Sequence, residues 1–328
     1  MRLDLQSLSQ SIKNYVGLTR KEPIAEVFRQ LVQGSPSGPQ LESWGDDAAA
    51  IPFTDGYLLL ATDGIMTGLL VNEPYAAGKA SVMVVVGDIY SMGGRPLAMV
   101  NVLASGPEEQ RAQVVAGIKK GCAKLRVPMV GGHLHPDAPA EHPQLSVAIL
   151  GWAQKLLRCH TAQPGDRLIV ACDLAGKPGC ASVTSWDANS HKTSEELLAR
   201  LEVLPRLAEQ ELAHACKDVS NGGLLGTLAI MLENSGRGGE IDLEAIPKPE
   251  GVELMRWLTA FMSYGFVLAA PEDHAAEVCA RFQERGVSAG VVGRVTRERQ
   301  VVLTAGQERQ TLFDFEREVI TGISAPTA

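Results

Sequence analysis

From Ala48 to Ala153, apolar runs suited to strands, YLLLAT (57–62), PLAMVNVLA (96–104) and QLSVAILGWA (144–153), alternate with segments of helical periodicity over 77–92 and 107–125. This alternation predicts an α/β domain. The turn Gln163-Pro164-Gly165-Asp166 opens a fresh apolar run, DRLIVACDL, and places a domain boundary near residue 160. The second half repeats the alternation: a helix over 194–213, a Gly-rich turn at 221–223 leading into a helix, GFVLAA (265–270), a helix over 272–285, and VVGRV (291–295). Residues 1–30 read as a helical arm, and Gln33–Gln40 (QGSPSGPQ) as a loop. The expected organisation is an N-terminal arm with a Gly-rich loop (1–44), a first α/β domain (45–160) and a second (161–328).

Composition narrows the classes without choosing among them. With 328 residues, 45% of them hydrophobic, the chain is long enough for about two cores. Its 30 basic and 38 acidic side chains give a net charge of −8, so no basic face for nucleic acid is expected. No segment has the length and apolarity of a membrane span or a signal peptide, and a cytoplasmic protein is expected. Six scattered cysteines without a C-x-x-C pair argue against a zinc site and against a disulfide framework.

The informative acids are those set among apolar or glycine residues, because a buried carboxylate must be paired, neutralised or bound to a cation. Asp46 and Asp47 sit between Gly45 and an apolar run, Asp63 closes the strand LLLAT, and Asp218 precedes the turn Ser220-Asn221-Gly222-Gly223. Each has a plain structural reading, as a turn cap, a strand end or a helix cap. Asp88 is harder to explain that way, since SVMVVVGDIYSMGG is apolar on nearly every face of its helix. Several such acids together suit Mg²⁺, which takes oxygen ligands from one or two carboxylates plus nucleotide phosphates. Candidate glycine-rich segments for offering backbone N–H groups to phosphate are Gly34–Gly38, Gly93-Gly94, Gly131-Gly132 and Gly222-Gly223. A Walker A loop is absent, since Ala80 follows Gly78-Lys79 and Glu73 stands where the first glycine belongs.

The order GDDAAA (45–50), TDGI (62–65), EPYAAGKASVMVVVGDIYSMGGRPLAM (73–99), GGH (131–133), PGDRLIV (164–170) and DVSNGGLLGTLAIMLENSG (218–236) resembles the aminoimidazole ribonucleotide (AIR) synthetase superfamily. That superfamily also holds selenophosphate synthetase, thiamine monophosphate kinase and a hydrogenase-maturation protein. The resemblance implies a two-domain α/β fold whose N-terminal domains pair into a dimeric β-barrel, hence a homodimer. It implies Mg²⁺ held by Asp47, Asp88 and Asp218, and ATP contacted by Thr62, Asp63, Gly131, Gly132, His133 and Asn221. What it implies about activity is a Mg²⁺-dependent, ATP-using enzyme that activates a small-molecule acceptor by phosphoryl transfer, as a kinase or an ATP-dependent ligase or cyclase. The alternative is a nucleotide-binding partner or regulatory subunit without its own turnover.

The branch stays unassigned. GGH and EPYAAGK are most similar to the selenophosphate synthetases, yet no cysteine precedes Cys122 to serve as their N-terminal nucleophile. Thiamine monophosphate kinases show SDGL where this chain has Ser220-Asn221-Gly222-Gly223-Leu224. The hydrogenase-maturation branch ends in cysteine, whereas this chain ends SAPTA. His133, His135 and Asp137 read either as a metal or substrate site or as an exposed loop.

Overall fold

The computed structural model describes residues 4–34 and 45–324. The helices α1 (Leu5–Lys13), α2 (Val16–Thr19) and α3 (Ile24–Gly34) come first. Then follow β1 (Ala49–Phe53), β2 (Gly56–Gly64), α4 (Thr67–Asn72), α5 (Pro74–Ser91), β3 (Arg95–Ala104), α6 (Glu108–Leu125), β4 (Met129–His135) and β5 (Gln144–Ala153). Next come β6 (Arg167–Cys172), β7 (Lys177–Pro178), β8 (Ser185–Asp187), α7 (Ser194–Leu201), α8 (Val203–Glu209), β9 (Ala215–Asp218) and α9 (Gly223–Asn234). The chain continues through β10 (Gly238–Asp242), α10 (Leu254–Thr259), β11 (Phe261–Met262), β12 (Gly265–Ala270) and α11 (Glu272–Gln283). It closes on β13 (Ser288–Thr296), β14 (Gln300–Ala305) and β15 (Glu308–Asp314). Residues 35–40 of the expected Gly-rich loop lie outside the described residues.

Two compact units result. One holds Asp47–Leu156 with Gly176–Glu209, the other Met1–Asp46, Leu157–Ala175 and Gln210–Ala328. In the first, a five-stranded sheet has the order β1-β2-β5-β3-β4, antiparallel except for the parallel pair β3–β4. Alternation sorts its faces: Leu145, Val147 and Ile149 of β5 are buried toward α5, while Leu60, Val100, Val102 and Leu150 remain 37–48% exposed on the opposite face. The barrel expected from the resemblance is not formed. This sheet is open: β1 and β4 are its two edges, β1 pairing only with β2 and β4 only with β3, so no ladder joins them.

Helix α5 has no polar face because it is covered on both sides, by the sheet and by α6. Glycine permits the close approach: a Cβ on Gly78 would stand 2.1 Å from Val114 O, and one on Gly117 2.1 Å from Tyr75 O. Residues 176–209 cluster with this unit through specific charges. The Arg95 guanidinium at the start of β3 is forked on Glu202 (2.6 and 3.1 Å) and reaches Glu209 at 2.6 Å, and these bonds push its proton affinity up further. The helix expected over 194–213 is broken after Leu201. It starts on a capping box between Thr193 and Glu196, but Pro205 has no N–H for Leu201 O and its ring crowds that carbonyl.

Tyr90 lies under this charge cluster, 5% exposed, and its phenol is pushed up to about 12 by burial first and by the Glu202 charge second. The unfolded chain ionises near pH 10, so above that pH the folded state binds more protons than the unfolded one. This contribution is complete below pH 10 and is lost as pH rises toward 12, about 3 kcal/mol in all. Melting temperatures measured across that window should fall more shallowly for Tyr90→Phe than for the parent protein. Equal slopes would mean that other groups govern alkaline unfolding.

The second unit is built on a seven-stranded sheet of order β15-β14-β10-β13-β6-β12-β9. Strands β6 and β12 are buried almost throughout, and α9 is buried at every residue. The N-terminal arm belongs here: Lys13 bonds Glu318 at 2.6 Å, and Leu18 of α2 packs on Gly222 and Gly226 at the start of α9. Among the described residues no helix is long and apolar enough to cross a membrane.

Candidate functional site

Asp47 and Asp88 converge in the first unit. Asp47 precedes β1, and Asp88 is one turn from the C-terminus of α5. Their carboxylate oxygens come within 4.8 Å of each other. Ser91, fully buried at the end of α5, donates its hydroxyl to Asp47 Oδ2 at 2.7 Å and lies 2.9 Å from Asp88 O. Two carboxylates this close repel, and the negative end of the helix dipole adds to the unfavourable field. A hard divalent cation answers both, and a donor set of oxygens alone fits Mg²⁺ chemistry. Asp88 itself is half-buried rather than sealed in its helix.

The glycines that follow Asp88 stop the helix. Gly93, at φ +76°, donates to Tyr90 O at 2.9 Å, and Gly94 donates to Ile89 O at 3.0 Å, the two bonds of a Schellman cap. Their amides are thus taken up by α5, which corrects the phosphate reading of this pair. Gly131 and Gly132 lie within strand β4 rather than in a turn.

Sheet register aligns the residues expected at the nucleotide. Thr62, Ala148, Val100 and Gly131 are successive partners across β2, β5, β3 and β4; Asp63, Val147, Asn101 and Gly132 form the next row, and Gly64, Ser146, Val102 and His133 the third. Partners in a row share a face, so Asp63 and Gly132 belong to the helix-covered face and Thr62, Gly131 and His133 to the other. Thr62 Oγ1 donates to Val147 O at 3.1 Å, while Asp63 and His133 are exposed. His133 packs edge-on against His135, ring centroids 4.5 Å apart.

Asp218 and Asn221 belong to the other unit. Asp218 ends the edge strand β9 opposite Phe266 of β12. Gly223 then turns the chain into α9 at φ +68°, and a Cβ there would meet Leu258 O at 2.3 Å, so only glycine fits. Its N–H is used in the turn, donating to Ser220 O at 2.9 Å. The carbonyl of Asn221 faces Gly17 of α2, where an added Cβ would stand 1.8 Å away. Ser91 was not singled out from sequence, although its place three residues after Asp88 in one helix was a usable signal.

The chain matches the model of the AIR synthase related protein N-terminal domain over residues 45–153 and that of the C-terminal domain over 163–306. It belongs to the AIR synthase-related family. An uncharacterized protein of Synechocystis sp. is 38% identical over 98% of this AIR synthase-related chain and 99% of its own length. A selenide, water dikinase of Geobacter metallireducens is 31% identical over 63% of this chain and 62% of its own. Among solved structures, Thermotoga maritima PurL complexed with ATP superposes with a TM-score of 0.75 at 16% identity, covering 95% of this chain. The chain spans about half the length of the PurL structures it matches, 52% in that case. AaThiL complexed with AMPPCP and TMP gives a TM-score of 0.66 at 18% identity, covering 88% of this chain and 96% of that one. These likenesses establish the two-domain α/β fold of the family.

Proposed function

We propose that this protein is a Mg²⁺-dependent, ATP-using enzyme that activates a small-molecule acceptor by phosphoryl transfer. The observation that carries the reading is the pair Asp47 and Asp88, with carboxylates within 4.8 Å and Ser91 orienting one of them. In this proposal Asp218 is the third metal ligand, and Thr62, Asp63, Gly131, Gly132, His133 and Asn221 contact the nucleotide. Family membership supports it, as do the nucleotides in the fold's solved relatives, ATP in PurL and AMPPCP in AaThiL. Bound there, Mg²⁺ supplies charge neutralisation on the phosphates. The chain's own part is to hold the phosphates and the acceptor in line, the main source of rate in such reactions.

ATP with Mg²⁺ should raise the melting temperature, and ATP without Mg²⁺ should do so far less, because ligands of the native state stabilise by mass action. A melting temperature unmoved by saturating Mg-ATP would remove the nucleotide from the reading. We further propose a homodimer, supported by the exposed apolar face bearing Leu60, Val100, Val102 and Leu150. Light scattering on the same samples tests it, a monomer at micromolar concentration being the adverse result.

A further inference from the structure

We propose that Asp46, Cys159 and His160 form a second metal site, chemically distinct from the Asp47–Asp88 pair and suited to a borderline-soft divalent ion such as Zn²⁺. One ligand atom from each lies within 4.8 Å of the others. All three belong to the unit built on the seven-stranded sheet. The segment carrying Cys159 and His160 is fixed beside β9, where Cys216 N donates to Arg158 O at 3.1 Å. Asp46 is brought to it by Cys159 N, which donates to Asp46 Oδ1 at 2.8 Å.

The deciding atom is His160 Nδ1. The side chain is 8% exposed, and Nδ1 makes no hydrogen bond although Asp46 Oδ1 is 3.3 Å away. A buried ring nitrogen aimed at a carboxylate oxygen without hydrogen-bond geometry is costly as it stands. It is well placed as a ligand, since donors about 2.0–2.2 Å from a tetrahedral Zn²⁺ stand about 3.3–3.5 Å from one another. Cys159 and Asp46 have no side-chain exposure, and Cys159 is in no disulfide.

The surroundings match what metal ligands need around them. Arg158 Nη1 sits 3.3 Å from Asp46 Oδ2, so the guanidinium orients one carboxylate oxygen while the other faces His160. The Asn234 amide lies 3.2 Å from Cys159 Sγ. Thiolate, imidazole and carboxylate in one set favour Zn²⁺ and its neighbours over Mg²⁺, which prefers oxygen throughout. Three protein ligands leave a fourth position for water. The ion would clamp Asp46 to the 158–160 segment.

Co²⁺ titration of the full-length protein, purified without a metal-affinity tag and kept reduced, tests the site. A single equivalent should bind with a near-ultraviolet sulfur-to-cobalt charge-transfer band. Cys159→Ser should abolish the band, His160→Ala should weaken binding by at least about 10-fold, and Cys180→Ser and Asp88→Asn should leave the band intact. No band in the parent protein, or a band that survives Cys159→Ser, overturns the proposal. The parent titration is read whether or not a variant folds, and the sulfur band is independent of any cation held by oxygen ligands alone.

Discussion

Replacing Asp88 by Asn should leave the fold intact and weaken Mg²⁺ binding by about 100-fold or more, taking the Mg²⁺-dependent part of ATP binding with it. Asn keeps the shape of the side chain but removes the charge that a hard cation requires. Loss of a partner that merely orients a ligand already costs about 10–100-fold in metal affinity, so loss of a direct ligand belongs at or above the top of that range. Without Mg²⁺, the variant should melt at or above the temperature of the parent, because Asp47 then faces one carboxylate fewer at the negative end of α5. Calorimetric titration of ATP across a Mg²⁺ series, with melting curves on the same samples, checks both halves. A variant that melts much lower yet binds Mg-ATP like the parent would make Asp88 a structural residue and would end the metal-site reading.

The largest loss of stability is expected at Glu233, in the last turn of α9 and 2% exposed. Its Oε1 accepts Ile320 N at 2.7 Å and Gly322 N at 3.3 Å, and its Oε2 accepts Thr321 N at 2.8 Å and Thr321 Oγ1 at 2.7 Å. The side chain thus replaces a missing strand partner for the chain at 320–322. Glu233→Ala leaves these donors buried without an acceptor and should cost about 3–5 kcal/mol in urea unfolding. Glu233→Gln keeps one acceptor oxygen but turns an NH₂ toward other donors, and should fall between. Hydrogen exchange at residues 320–322 should rise first, since the local anchor goes before the sheet. A loss below about 1 kcal/mol for Glu233→Ala would show that the segment is held by its apolar contacts alone.

These residues divide by the range over which their roles are written. The strands at 57–62, 96–104 and 144–153 and the helices around Asp88 and before Leu125 were legible because face alternation is a short-range property of the chain. The oddity of Asp88 was legible for the same reason, being a mismatch between one side chain and its immediate neighbours. Gly93-Gly94 shows the limit of such reading: a helix stop and a phosphate cradle use the same residues, and only the bonds to Tyr90 and Ile89 decide. The open sheet is another case, because whether edges meet depends on curvature and strand order rather than on any strand's own sequence.

By itself the sequence determined the alternating α/β pattern, the family motifs and the acids that do not fit an apolar helix or a glycine turn. Tertiary structure alone decided what adjacent residues do. Asp46 and Asp47 are consecutive, yet one faces Cys159 and His160 and the other faces Ser91 and Asp88. Residues 176–209 cluster with the 47–156 sheet through Arg95, and Glu233 is matched to the chain at 320–322. Each of these joins positions from about 40 to more than 110 residues apart. Periodicity carries no information over such distances, because the pairing is set by how whole elements pack once their apolar faces are buried.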